Sequence, residues 1–351
     1  MRVLIIADDL TGALDTAAPF AQAGRQVLAV MRHEDIASAI AAAPDVLAIS
    51  TSSRHLPVAE AYQRVLSAAE QLRAFAPDLA FKKVDSRLKG NVVPEVRAML
   101  QGLGLERAIF APALPDQGRF VVGGHVLGMG IDEPIPLPAF PSALDVTCPD
   151  VATRADMHDV ARKIMNSLGT LAIGARGLGE AIANNLYGSP ADLSTLALQK
   201  PLLFAIGSRD PITMAQMRAL VALGVTAIDA PNGIVPVYAD PAPSMLLIRS
   251  TAADRPEGEA VVGQRFAEGI ARIMKEMQPG TVVLSGGETA AAILSECGAG
   301  ILTLQGEVQT GLPVSMVQLP GGREMQVITK SGGFGTEDCL VRLAQRLSGP
   351  A

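Results

Sequence analysis

Short apolar, β-branched runs alternate with longer amphipathic stretches along most of this chain. The first strand candidates are Val3–Ala7, Gln26–Val30, Val46–Ser50, Leu79–Val84 and Arg107–Ala111. A later set is Thr170–Ile173, Leu202–Ile206, Val225–Asp229, Ser244–Ile248, Thr281–Leu284, Ser315–Leu319 and Gln326–Thr329. Most are apolar throughout instead of alternating, as parallel strands covered on both faces should be. Helices are expected at Leu10–Ala23, Pro57–Phe75, Val93–Leu103, Thr153–Leu168, Pro211–Leu223, Glu257–Met277, Glu288–Cys297 and Glu337–Leu347. In Pro57–Phe75 the residues Val58, Ala61, Tyr62, Val65, Leu66, Ala69 and Leu72 recur at helical spacing after a starting proline. The alternation of strand and helix predicts an α/β fold with largely parallel sheets flanked by helices.

A length of 351 residues suggests about two domains. Two stretches interrupt the alternation. Gly118–Cys148 is rich in Gly and Pro and reads as an excursion or a small hairpin at a domain edge. Tyr187–Pro201 is polar and reads as the linker, which divides the chain into 1–195 and 196–351. No segment repeats at a period of 20–50 residues, so a solenoid is excluded.

Composition narrows the function classes. Hydrophobic residues at 49% against 18% charged exclude a disordered chain. A net charge of −6 without basic blocks argues against nucleic acid as a partner. With 3% aromatics and no Trp, base-stacking platforms are not expected. No apolar run approaches the ~18–20 residues of a membrane span. Val3–Ala7 stops at Asp8, too short for the apolar region of a signal peptide, so a cytoplasmic protein without membrane contact is expected. Cys148, Cys297 and Cys339 are far apart, and His33, His55, His125 and His158 lack metal-ligand spacing, so zinc is not expected. Composition assigns no ligands to any other metal.

Candidate chemistry sits just past the strands, where open α/β sheets bind ligands. The first strand runs into Asp8-Asp9-Leu10-Thr11-Gly12. These carboxylates suit substrate hydroxyls, Mg²⁺ or a proton, and one of them equally suits a helix cap. Ser50–Leu56 offers hydroxyls and Arg54, fit for an anion or for an ordinary loop. Lys82–Asn91 mixes four cations with Asp85, Ser86 and Asn91, the mixture a small polyhydroxylated acid needs. The second half carries Ser285-Gly286-Gly287-Glu288-Thr289, Lys330–Gly335 and Gly207–Asp210, each a strand, a tight turn and a helix. Such turns present backbone N–H groups and a helix start to phosphate. No GxxxxGK[ST] or strand-borne GxGxxG is present, so neither a P-loop nor a dinucleotide fold is indicated. A hydroxy-acid site followed by phosphate loops points to a small-molecule kinase.

At these residues the chain resembles the four-carbon acid sugar kinase family, which acts on D-threonate, D-erythronate and 3-oxotetronate. The resemblance rests on ADDLTGA at Ala7–Ala13, the loop ending in Arg54, KKVDSRLKGN at Lys82–Asn91 and APALPDQGR at Ala111–Arg119. It continues in GSRDPIT at Gly207–Thr213, SGGETA at Ser285–Ala290 and KSGGFG at Lys330–Gly335, and so spans nearly the whole chain in order. It implies an acid-sugar domain, then an ATP domain, with the active site in the interdomain cleft. The implied reaction is Mg²⁺- and ATP-dependent phosphorylation of a terminal hydroxyl.

Carried over residue by residue, Asp8, Asp9, Arg54, Lys83, Asp85 and Ser86 match the acid-sugar site. Ser208, Gly286, Gly287, Glu288, Thr289, Ser331, Gly332 and Gly333 match the ATP site. On this basis Arg54 and Lys83 would hold the substrate carboxylate. Asp8, Asp9, Asp85 and Asn91 would orient its hydroxyls, and Asp8 or Asp9 would take the proton. Lys330 would touch the transferring group or pair with a carboxylate. Many members read KxDSTLRGN, whereas here Arg87 replaces the Thr and Lys89 the Arg. The chain is also short for the family, with Gly118–Thr170 the expected place of trimming. A kinase of another small hydroxy acid and a non-catalytic nucleotide- or metabolite-binding regulator remain alternatives. Dimers are frequent in the family, which leaves a homodimer open.

Overall fold

The computed structural model describes residues 1–167, 169–188, 196–237 and 243–347. The chain divides into two compact units, Met1–Ala191 and Asp192–Ala351. Of the expected linker, residues 189–195 lie outside the described residues.

The first unit opens with β1 (Val3–Ala7), α1 (Leu10–Gln22), β2 (Val27–Val30), α2 (Ile36–Ala41) and β3 (Val46–Ser50). It continues with α3 (Val58–Leu72), β4 (Leu79–Lys83), α4 (Val92–Leu103) and β5 (Arg107–Ala111). Then come β6 (Arg119–Val122), β7 (His125–Gly128), β8 (Ile135–Pro136), β9 (Asp145–Thr147), α5 (Arg154–Met165), β10 (Thr170–Gly174) and α6 (Arg176–Tyr187). The main sheet runs β2-β3-β1-β4-β10-β5-β9, all parallel. Gly118–Cys148 holds the antiparallel sheet β6-β7-β8 and then supplies edge strand β9. Val3, Leu4, Ile5 and Ile6 are all at most 1% exposed, so β1 is covered on both faces.

Helix α6 was not apparent in the pattern, and the reason is packing. Gly177 and Gly179 lower its intrinsic propensity. A Cβ at Gly179 would lie 2.6 Å from Thr16 Cγ2 of α1, so the glycine is what lets the helices touch.

The second unit begins with β11 (Leu202–Ile206), α7 (Pro211–Ala222), β12 (Thr226–Pro231), β13 (Met245–Thr251) and α8 (Glu259–Met277). It ends with β14 (Thr281–Ser285), α9 (Gly287–Glu296), β15 (Ile301–Gln309), β16 (Leu312–Gln318), β17 (Glu324–Lys330) and α10 (Cys339–Leu347). Its strands follow the order β12-β13-β11-β14-β17-β16-β15. The first five are parallel, and β17-β16-β15 are antiparallel. Strand β15 escaped the all-apolar criterion because it alternates inward and outward residues and shifts register around Gly306. Its core gathers Phe204, Ile206, Met217, Leu247, Val283, Ile328 and Leu340. Each such side chain contributes about 1.5–3 kcal/mol by leaving water. Among the described residues no helix is long and apolar enough to cross a membrane.

Candidate active site

Strand register brings the first unit's motifs together. Ala7 of β1 stands opposite Ser50 of β3 on one side and Lys83 of β4 on the other. Asp8-Asp9, Thr51–Arg54 and Val84–Asn91 therefore leave the sheet side by side. The order β3-β1-β4 places this point where the chain changes direction across the sheet, the usual ligand crevice of open α/β folds.

Arg54 reaches back over both acids. Its Nε donates to Asp8 Oδ2 at 2.7 Å and its Nη2 to Asp8 Oδ1 at 2.9 Å. Its Nη1 donates to Asp9 Oδ2 at 2.9 Å. Burial would push the Asp8 carboxyl up, but the Arg54 bond and the charges of Lys82, Arg54 and Lys83 hold it below its ordinary range. Asp9 also caps α1, its Oδ1 accepting from Gly12 N–H at 2.9 Å and its Oδ2 from Thr11 Oγ1 at 2.9 Å. The helix cap and the partner of Arg54 Nη1 are thus one residue. The Asp8 side chain is 3% exposed and that of Asp9 15%, so Asp9 is the more accessible of the two acids.

Lys83 lies buried under α1. A Cβ at Gly12 would come 2.9 Å from Lys83 Nζ and 2.5 Å from Asp9 Oδ1. Burial opposes the Lys83 charge, but Asp15, Asp9 and Asp8 raise its pKa above the ordinary value. The Asp15 carboxyl is pushed up by burial, and Lys83 and Arg176 only partly offset this. Gly90 fits the same cluster. At φ +91 it takes a conformation few other residues adopt, and a Cβ there would lie 3.0 Å from Asp8 Oδ2.

Asp85 and Ser86 stand beside this cluster. Asp85 Oδ1 accepts the Arg87 N–H at 2.9 Å, and Ser86 Oγ accepts from Arg119 Nη1 at 2.7 Å. Asn91 has a different position from the expected one. Its amide nitrogen donates to the Ser53 and Leu56 carbonyls at 3.2 and 3.0 Å, stapling the two loops together.

Beneath the site is a buried network that the motifs did not reveal. Lys82 Nζ pairs with Glu95 Oε2 at 2.7 Å, with exposures of 0% and 2%. Ser53 Oγ donates to Glu95 Oε1 at 2.7 Å, and Thr51 Oγ1 donates to the Ala7 carbonyl at 2.9 Å. The available signal was Glu95 itself, a lone acid on the buried face of α4 beside Val92, Val96 and Met99.

The second unit repeats the device. Ser285 of β14 stands opposite Ile206 of β11 and Lys330 of β17. Gly207–Asp210, Gly286–Thr289 and Ser331–Gly335 leave side by side. A Cβ at Gly332 would sit 2.6 Å from Ser208 Oγ, one at Gly333 2.9 Å from Asp210 Oδ2, and one at Gly207 would collide with Thr289 Oγ1. Gly286 takes φ +102 and delivers Gly287–Thr289 as the first turn of α9. Helical N–H groups in such a turn have no carbonyl of their own helix to bond, and they favour anions.

Lys330 fits neither expected role. Its Nζ donates to Thr213 Oγ1 at 3.1 Å and to the Ser331 and Gly332 carbonyls at 2.9 and 2.8 Å. It is fully buried, and burial pushes its pKa down to about 8. It therefore buttresses the glycine loop from below. Thr213 adds a bond to the Gly332 carbonyl, and Gln216 Nε2 holds the Phe334 and Thr336 carbonyls at 3.1 and 2.9 Å.

The strand ends of one α/β unit thus gather carboxylates and cations, and those of the other gather glycines and hydroxyls. A family model for a sugar-binding N-terminal domain matches residues 3–143, and one for a nucleotide-binding C-terminal domain matches residues 227–340. A D-threonate kinase of Bordetella bronchiseptica is 30% identical over 407 aligned residues, covering 98% of this chain and 96% of the relative. A D-erythronate kinase of Heliobacterium modesticaldum is 34% identical over 236 residues, 65% of this chain and 50% of the relative. A solved structure from Salmonella typhimurium LT2 superposes with a TM-score of 0.74 at 17% identity, covering 97% of this chain and 98% of that one, and agrees in fold. The chain belongs to the four-carbon acid sugar kinase family.

Proposed function

We propose that this protein transfers the γ-phosphoryl group of ATP to the terminal hydroxyl of a four-carbon sugar acid such as D-threonate. The observation that carries the reading is the matched pair of strand-end triplets. One gathers Asp8, Asp9 and Arg54, and the other gathers Ser208, Thr289 and the Gly332–Gly333 loop.

Phosphoryl transfer needs alignment and charge neutralisation more than covalent chemistry. Asp9 keeps an unfilled acceptor position and is the more exposed acid, so it orients the attacking hydroxyl and takes its proton. Asp8 holds Arg54 in place. The first turn of α9 and the Gly332–Gly333 backbone receive the ATP phosphates.

Mg²⁺ neutralises phosphate charge when bound with ATP. One or two protein carboxylates would suffice to hold it there. The Asp210 carboxylate beside Gly333 and the Ser208 and Thr289 hydroxyls form a fitting oxygen set. Among the described residues no group of three or more His, Cys, Asp or Glu is placed to hold a metal ion.

The test is a coupled ADP-release assay with Mg-ATP. Its panel is D- and L-threonate, D- and L-erythronate, the 3-oxotetronates and glycerate. Turnover of one four-carbon acid well above the rate without acceptor is expected. Turnover of glycerate alone would move the assignment to another hydroxy acid. Ligand-induced stabilisation without any turnover would make the protein a regulator.

A further inference from the structure

The cations of the first unit fall into two groups with different charge balance. The inner group is Arg54 and Lys83. Both inner cations are already engaged by carboxylates of the protein, Arg54 by hydrogen bonds to Asp8 and Asp9 and Lys83 by the charges of Asp15, Asp9 and Asp8.

The outer group is Arg87, from the loop after β4, and Arg119, the first residue of β6. The two guanidinium groups converge on one point. A Cβ at Gly130 would lie 2.6 Å from Arg87 Nη2 and 3.6 Å from Arg119 Nη2. Arg119 makes its own bonds to neutral groups, Nη1 to Ser86 Oγ at 2.7 Å and Nε to the Met129 carbonyl at 2.9 Å. Among the described residues neither guanidinium has a carboxylate in ion-pair contact. Burial and the Arg87 charge push the Arg119 pKa down, opposed only by Asp85. Two like charges held together in this way are strained electrostatically until an anion bridges them. A guanidinium fork is the natural partner of a planar carboxylate. The pair also adjoins the inner group, because Asp85 acts on both Arg119 and Arg54.

We propose that Arg87 and Arg119, in place of Arg54 and Lys83, bind the carboxylate of the acid substrate and so decide which end of it reaches Asp9. The assignment rests on the sugar-acid reading of the first unit. It leaves the opposite, hydroxyl-bearing end of the molecule for the inner carboxylates, and it makes Arg87 a specificity-determining residue.

The experiment compares each sugar acid of the panel with its neutral carboxamide, binding being measured by calorimetry without ATP. The proteins are wild type, Arg87→Thr, Arg119→Gln and Arg54→Lys. Arg87 is exposed, so its replacement leaves the fold intact even if Arg119→Gln does not. In the wild type the acid should bind about 10–100-fold more tightly than the amide, the scale of hydrogen bonds to a charged group. Arg87→Thr and Arg119→Gln should weaken the acid about 10-fold or more and leave the amide unchanged. Equal losses for acid and amide, or a preference removed only by Arg54→Lys, would overturn the proposal. The ADP-release assay separates the two readings. Turnover with the preference residing at Arg54 sinks this assignment and keeps the kinase. Discrimination through Arg87 and Arg119 without turnover keeps the assignment and sinks the kinase. If no acid binds, both fall.

Discussion

Arg54 closes a two-pronged bond on Asp8, with Nε and Nη2 each within 3 Å of a different carboxylate oxygen. The pair joins loops that are far apart in the chain, and it fixes the guanidinium edge that also meets Asp9. Lysine carries the same charge without the fork. Arg54→Lys should therefore destabilise the protein by about 1–3 kcal/mol at pH 7. Asp8 titrates below its ordinary value of 3.8 in the folded state. The stabilisation from its charged form is complete above that value and is lost as pH falls through the lower, folded pKa. The gap between wild type and Arg54→Lys in denaturant midpoint should accordingly shrink below about pH 4. A gap that stays constant through acid would show that the pair contributes nothing.

The Lys82–Glu95 pair carries a sharper expectation, because both side chains are removed from water. Removing one partner leaves a buried charge alone, and Glu95→Leu should cost about 3–5 kcal/mol. Lys82→Met combined with Glu95→Leu should recover much of that loss, since an apolar pair of similar volume avoids both desolvation costs. Chemical unfolding of the three variants decides it. Additive losses in the double variant would contradict a direct pairing.

The two units should be separable by substitution. Gly207→Ala drives a methyl into Thr289 Oγ1, and Gly332→Ala places one 2.6 Å from Ser208 Oγ. Each should lower ATP affinity about 10-fold or more, a loss of at least 1.4 kcal/mol. Sugar-acid binding measured without nucleotide should not change. Unaltered ATP affinity in both variants would remove Ser208 and Thr289 from the phosphate cradle.

Much of this architecture was legible in the sequence because β1 and β11 are apolar throughout and β3, β4 and β14 are apolar except at their ends, as parallel strands buried on both faces require. Among the polar residues of that set, Ser50, Lys82, Lys83, Thr281 and Ser285, only the two lysines carry charge, and both lie beside the Asp8-Asp9 cluster. The polar clusters stand where those strands stop, so the candidate residues could be named before their neighbours were known. What pairs with what could not be named. The loop that carries Arg54 gives no hint that its guanidinium is bonded to Asp8 and Asp9. Asn91 and Lys330 belong to ligand-like motifs, yet Asn91 spends its donors on backbone carbonyls and Lys330 on two carbonyls and the Thr213 hydroxyl. Helix α6 and strand β15 were missed where close packing or alternating exposure overrode the local pattern.

Lys330 offers the clearest pH test, since its ammonium is fully buried and hydrogen-bonded to neutral acceptors, with Cys339 and Asp210 offsetting only part of the burial. The folded protein binds its proton with a pKa of about 8, against 10.5 for an ordinary lysine. Between those values the unfolded chain holds more protons than the folded one, so stability rises with pH across the window. The contribution is complete above 10.5 and is lost as pH falls through the folded pKa of about 8. Over that interval the gain amounts to about 3 kcal/mol. Lys330→Met has no proton to bind and should lack this slope, while losing the support of the Ser331 and Gly332 carbonyls at every pH. Guanidinium unfolding at pH 7.5 and 9.5 should show the wild type gaining about 2 kcal/mol on the variant. Parallel pH profiles for the two proteins would mean that the ammonium is solvated, and the buttress beneath the glycine loop would have to come from Thr213 and Gln216 instead.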